Sequence, residues 1–296
     1  MDTMRRMKGK GFTLVELLVV ILVSVLIMGA VLGLLYTFVF NYEESAEYSA
    51  ARQRGQMAFA LLSRPIVEAG LGIPNSETEF RSCFTDYLED SSIPEEVVND
   101  WDAPVYVREN SDGDESRDLY IVYSIPSGIA NAEETYFSNG TSVTLNLTST
   151  DFDGNYDWIT FPSARAVFEV GSHSAGSYSI EAIPKESGTL PLFDELHYIR
   201  FLHARVKDGQ LVIEDPVTGD SLGRVEGIED AVFSCDLDDQ IVTTYVLARG
   251  DVRHSDFITT GDIDGWPNNG DTSVPDDDEA RHYRLSAHTS SWRVRN

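Results

Sequence analysis

Basic residues are scarce in this chain. It carries 22 Lys and Arg against 49 Asp and Glu, a formal charge of −27 over 296 residues. That balance excludes a nucleic-acid partner, because displacing counterions from phosphate needs a cationic surface. Cysteine is scarcer still. Cys83 and Cys235 are too few for a disulfide framework; they form one bridge or stay as two thiols, and the sequence leaves both open. Catalytic signatures are missing as well: there is no G-x-S-x-G, P-loop, H-E-x-x-H or C-x-x-C. The six histidines are scattered, with His197 and His203 in one strand-like run. No enzyme is expected. No internal repeat is visible. Apolar residues, by contrast, make up 42% of the chain, enough for a substantial core. They are unevenly spread, which argues against a soluble cytoplasmic enzyme.

From Leu17 to Tyr42 run 26 consecutive uncharged residues, mostly Leu, Val, Ile, Phe, Met and Ala. About 20 such residues span a bilayer as a helix. Ahead of them, Met1–Gly11 carries Arg5, Arg6, Lys8 and Lys10 against Asp2. Positive charge before a span holds that end in the cytoplasm, so the residues after Tyr42 are expected outside the inner membrane. No small-residue cleavage site stands between Phe40 and Glu43, so the span is expected to stay on the protein. Glu16 interrupts the pattern. A carboxylate in lipid costs ~2.5–3.5 kcal/mol at mid-helix and less near an interface, and it implies a partner.

Lys10-Gly11-Phe12-Thr13-Leu14-Val15-Glu16 followed by the apolar run resembles the class III signal of type IV pilins and type II secretion pseudopilins. The resemblance implies cleavage between Gly11 and Phe12 by a prepilin peptidase, N-methylation of the Phe12 amine, and a role for Glu16 at the fifth mature position. The chemistry reads independently of the family. Cleavage leaves an α-ammonium in an apolar setting, which Glu16 of a neighbouring subunit neutralises. Breaking such a pair typically costs ~3–5 kcal/mol. The plainer reading is that Glu16 complements the helix dipole, worth ~0.3–1 kcal/mol. The resemblance makes residues 1–11 a leader and 12–42 the membrane half of a long helix.

Residues 43–64 continue that helix as an amphipathic half, with Ala50, Met57, Ala58, Leu61 and Leu62 as its apolar stripe. Met57 and Phe59 are expected in a core. Pro65 should end the helix at Arg64, about 80 Å from Phe12 at the usual rise. Gly29 and Gly33 invite either local melting or close helix packing.

Residues 65–296 form the body. Segments 103–109, 118–124, 142–148, 157–161, 164–170, 177–183, 196–206 and 210–215 read as strands between turn clusters, and Lys207-Asp208-Gly209 reads as a hairpin turn. The expected fold class is α+β: a long N-terminal helix packed on a mainly antiparallel sheet.

The C-terminal third refines the resemblance. Val225–Phe233 with Asp236–Asp239, then Thr244–Arg249, then Tyr283-Arg284-Leu285 and Trp292–Asn296 are similar to the closing segments of PilW-type minor pilins. Where such proteins often have Tyr-Gly, this chain has Ser234-Cys235, which opens a role for Cys235 such as bridging to Cys83 in an oxidising periplasm. The resemblance implies a minor pilin in the bacterial inner membrane, its body periplasmic and then on the pilus. Implied partners are other minor and major pilins, prepilin peptidase, the assembly platform and the lipid bilayer. A J-like type II secretion pseudopilin and a pilus-tip adhesin are the alternatives.

Among the acidic loops, Asp262-x-Asp264-Gly265 with Asn268, Asn269 and Asp271 has a spacing suited to calcium. Some pseudopilins bind calcium in irregular loops, so a site at Asp262, Asp264, Asn268 and Asp271 is an expectation, set against an ordinary solvated loop. Residues 110–114 and 151–157 carry weaker versions, and none of the three completes an EF-hand.

Overall fold

The computed structural model describes residues 13–89, 91, 93–108, 118–236, 239–256, 258, 263–267 and 279–295. The chain divides into two compact units, Met1–Glu47 and Tyr48–Asn296. Helix α1 (Leu14–Glu68) contributes to both.

In the first unit the helix continues through Gly29 and Gly33 without a break. A Cβ at either glycine would meet nothing within 4 Å. The Thr37 hydroxyl donates to the Gly33 carbonyl at 3.0 Å, closing a backbone group that glycine leaves exposed. The large apolar side chains from Leu14 to Phe40 are exposed. With an 18-residue window of mean hydropathy 3.0, α1 is long and apolar enough to cross a membrane.

In the second unit α1 buries Ala51, Gly55, Ala58, Leu62, Pro65 and Ile66, at the three- and four-residue spacing of one helical face. This corrects the expected stripe: Met57 is 59% exposed and Leu61 38%. Small residues, not bulky ones, select the face. A Cβ on Gly55 would lie 2.4 Å from Cδ2 of His288, so only that face lets the helix approach so closely. Phe59 is half-buried and meets Trp292 edge-on, with ring centroids 5.6 Å apart. The helix also runs through Pro65 to Glu68, past its expected end. An interior proline costs roughly 3 kcal/mol in lost hydrogen bonding and ring clash. Fully buried Leu62 and Ile66 flank it, and Arg64 pairs with Glu68 at 3.1 Å.

Two short helices follow, α2 (Glu77–Glu89) and α3 (Glu95–Asp100), neither anticipated. Then come β1 (Val105–Arg108), β2 (Asp118–Ala130), β3 (Thr135–Phe137), β4 (Val143–Asn146), β5 (Trp158–Phe161), β6 (Ala166–His173) and β7 (Ser179–Pro184). The chain closes with β8 (Gly188–Leu190), β9 (Glu195–Lys207), β10 (Gln210–Glu214), β11 (Ser221–Glu226), β12 (Ile228–Asp236), β13 (Ile241–Arg249) and β14 (Leu285–Arg293). Among the described residues these form sheets of nine, three and two strands. The paired strands are antiparallel, and the fold is α+β.

Strand β9 organises the large sheet. One edge pairs with β2, and the other with β5 near its start and β10 near its end. The β9–β10 turn is Asp208-Gly209, with φ of 53° and 68°, the positive values a two-residue hairpin needs. Both faces of β2 are covered. Leu119, Ile121 and Tyr123 join the core shared by α1 and the three-stranded sheet. Tyr120 and Val122 point the other way, toward Phe80, Phe84 and Leu88 of α2 and Val97 and Val98 of α3. This double burial makes residues 119–124 an unbroken apolar run of buried side chains, with only Ser124 polar.

The exit of α1 is fastened to the large sheet. The Gly70 N–H donates to the Val122 carbonyl at 3.3 Å. The Ser124 hydroxyl donates to the Leu71 carbonyl at 2.9 Å, and the Thr160 hydroxyl to the Gly72 carbonyl at 2.6 Å. Gly72 has φ +73°, and a Cβ there would lie 2.9 Å from the Pro162 backbone.

Cys83 and Cys235 are free thiols, so the bridge considered from sequence does not form. The fold separates them: Cys83 lies among the aromatic side chains under α2, whereas Cys235 packs at the rim of the α1 core on β12.

Candidate functional site

Thr13 is the first described residue and stands just before α1, in the N-cap position. The Glu16 carboxylate turns back so that Oε2 accepts from the Thr13 backbone N–H and from its hydroxyl, each at 2.9 Å. The Glu16 N–H in turn approaches the Thr13 hydroxyl oxygen at 3.3 Å. This is a capping box, satisfying reciprocally the donors a helix start leaves open. The T-x-x-E spacing is the sequence signature of such a box, whereas the sequence reading weighed an inter-subunit ammonium and the helix dipole as partners of Glu16. Within one chain, then, Glu16 has Thr13 as its partner, at the threshold of the apolar stretch. Gly11 and Phe12 lie outside the described residues.

The body holds a second polar constellation. The His203 ring, buried on β9, stacks on Tyr120 of β2 with centroids 4.2 Å apart and planes 4° from parallel. Its Nε2 is 3.3 Å from Asp118 Oδ2 and its Nδ1 3.4 Å from Glu214 Oε1. Arg205 pairs with the same Glu214 oxygen at 2.8 Å, and Arg108 pairs with Glu96. Apart from Glu96, these groups line a recess of about 250 Å³ with Ile93, Pro94 and Pro216. The acids reach the two nitrogens on opposite edges of the ring, so they knit β2, β9 and β10 together. Desolvation pushes the Tyr120 hydroxyl well above its usual range, with Asp118 adding to the effect; it is a poor proton donor.

The other histidine of that strand, His197, sits in the core with Nδ1 3.2 Å from the Ser124 hydroxyl. That hydroxyl is wholly buried and holds the α1 exit. The two thiols are inert in the same way. Burial pushes Cys83 up to about 12 and Cys235 up to about 11, far from the depressed values of reactive cysteines.

Of the expected calcium ligands, Asp264 is described, whereas Asp262, Asn268 and Asp271 lie outside the described residues. In the fully described loop 151–157, carboxylates turn to local donors. Asp153 Oδ1 accepts from the Asn155 backbone and side chain at 3.1 and 2.7 Å, and Asp151 accepts from the Ser149 hydroxyl at 2.8 Å. Asp157 accepts from the Tyr87 hydroxyl at 3.1 Å. Among the described residues no three His, Cys, Asp or Glu side chains converge to hold a metal.

The family model for the prokaryotic N-terminal methylation motif matches residues 6–32. No curated protein and no solved structure matches the chain. The matched segment contains the second half of the basic leader, Gly11, Phe12, the Thr13–Glu16 box and more than half of the apolar stretch. The segment is similar to a type IV pilin-like prepilin signal, and it stands at the head of a helix long and apolar enough to cross a membrane.

Proposed function

We propose that this chain is a minor pilin of the PilW type, held in the inner membrane with its body periplasmic, that primes assembly of a type IV pilus with other pilins. Prepilin peptidase cuts between Gly11 and Phe12, and the new Phe12 amine is methylated. One observation carries the reading: Glu16 stands in the first turn of the helix, held by Thr13, at the head of a long run of exposed apolar side chains. An acid so placed is matched to a cation arriving from outside the chain, and the Phe12 ammonium of a neighbour is that cation. Helix packing and charge neutralisation then act together. The role is structural and involves no catalysis.

The experiment is deletion and complementation in the native host. Loss of surface pili, restored by the parent and not by Glu16→Ala, supports the reading. Normal pili in the deletion with a block in protein secretion would reassign the chain to the type II secretion pseudopilins. Normal pili that no longer attach would make it an adhesin.

A further inference from the structure

Pro191–Asp194 make the tight turn from β8 to β9, closed by the Asp194 N–H donating to the Pro191 carbonyl at 3.4 Å. Its two central side chains face solvent: Leu192 is 51% exposed and Phe193 69%. Phe193 has φ +63°. The third position of a turn with positive φ is ordinarily glycine or asparagine, and a bulky residue there is a genuine outlier. The surroundings over-determine it. Asn131, fully buried, donates its N–H to the Asp194 carbonyl and accepts the Phe193 N–H at its own carbonyl, both at 2.9 Å. Its side-chain amide donates to the Pro191 carbonyl at 3.3 Å and to the Glu133 carbonyl.

Two further exposed aromatics are linked to the same region by backbone pairing. Tyr136 is on β3, which pairs with β8 just before the turn. The Tyr178 carbonyl accepts the Leu147 N–H at 2.6 Å, and Leu147 bridges Asn131. The fold thus strains its backbone to hold large apolar side chains in water. Strain of this kind persists where it serves a site, and rigid aromatic anchors are what interface centres use.

The rim is acidic. Glu133, Glu134 and Glu195 are exposed, and neither 131–147 nor 186–199 contains a Lys or Arg. Anionic lipid is repelled by such a rim, and a second copy of this chain brings the same acidic surface. We infer that the Leu192–Phe193 turn docks into an apolar recess, rimmed by Lys or Arg, on a different protein. The inference uses only body residues, so it stands or falls apart from the processing of the N-terminal motif.

The test is photocrosslinking in the native host, with benzoyl-phenylalanine placed at position 193 of the full chain and, as control, at exposed Val252. A discrete protein adduct is expected at 193 and not at 252, its cross-linked peptide carrying Lys or Arg around apolar residues. Reversing Glu134 and Glu195 to Lys together should lower its yield about tenfold. With the probe moved to position 192, Phe193→Asn should cut the yield by about tenfold while the melting temperature stays at or above the parent's, because asparagine suits the positive φ. No adduct above the control, an adduct to lipid or to another copy, a partner segment without basic residues, or a yield indifferent to charge reversal would each overturn the inference.

Discussion

Glu16 and Thr13 satisfy each other within one chain, through two hydrogen bonds of 2.9 Å to a single carboxylate oxygen and a reciprocal contact of 3.3 Å. The filament reading gives Glu16 a different partner, so the capping box describes the subunit before assembly. Removing the cap costs ~1 kcal/mol, whereas a bare charge in a buried pair costs ~3–5 kcal/mol. Thr13→Ala should therefore reduce assembled pili several-fold, and Glu16→Ala should abolish them. Immunoblots of sheared pili against whole-cell protein give both numbers; equal losses for the two variants would count against the pairing role.

Acid should loosen the body through His197. Burial lowers the affinity of its imidazole for a proton, while Glu195, Glu68 and Asp194 pull the other way without cancelling the effect. The unfolded chain takes up that proton below about pH 6.5, and the folded chain does so only at lower pH. The contribution to stability is thus full above that value and is lost as pH falls below it. His288 shifts in the same direction. Melting temperature should drop between about pH 7.5 and about pH 5.5, and His197→Gln should shrink the drop. An unchanged slope in the variant would contradict the assignment.

Gly72 is the least replaceable residue at the helix exit. Alanine there meets a left-handed backbone, at roughly 1–2 kcal/mol, and backbone atoms of Pro162 2.9 Å away, at roughly 1–3 kcal/mol for overpacking. Gly72→Ala should lower stability by about the sum, read as a fall in the denaturation midpoint. Gly128→Ala, with φ +75° and open space around it, should show only the backbone part.

Both thiols should titrate as free, and only after unfolding for Cys83, which is 3% exposed. Reductant should leave the melting temperature unchanged. A reductant-sensitive transition, or a faster non-reducing gel band lost on Cys83→Ser, would show a bridge.

Much of the fold was legible because strands covered on at least one face announce themselves. Segments 118–124, 157–161, 196–206 and 210–215 coincide with β2, β5, β9 and β10 to within a few residues apart from the C-terminal half of β2, and the Asp208-Gly209 turn was marked by its composition. Helix α2 was missed although Phe80, Cys83, Phe84 and Leu88 recur at helical spacing, since Arg81, Ser82, Thr85 and Asp86 stand between them and Glu77, Glu79 and Glu89 flank them. The buried face of α1 was misread for a different reason. Ala51, Gly55 and Ala58 matter by being small, and a search for bulky apolar residues picks Met57 and Leu61 instead. Tertiary packing, invisible locally, also carried the helix past Pro65. At the N-terminus the motif was readable because basic leader, glycine, aromatic and glutamate coincide. The recess around His203 was not readable, because Asp118, His203 and Glu214 meet only through strand register.

The central claim concerns where the mature chain begins. Mass spectrometry of the protein purified from its native host should find an N-terminal peptide starting at methylated Phe12, with Met1–Gly11 absent. A chain still carrying the leader throughout, or an unmethylated start elsewhere, would contradict the account.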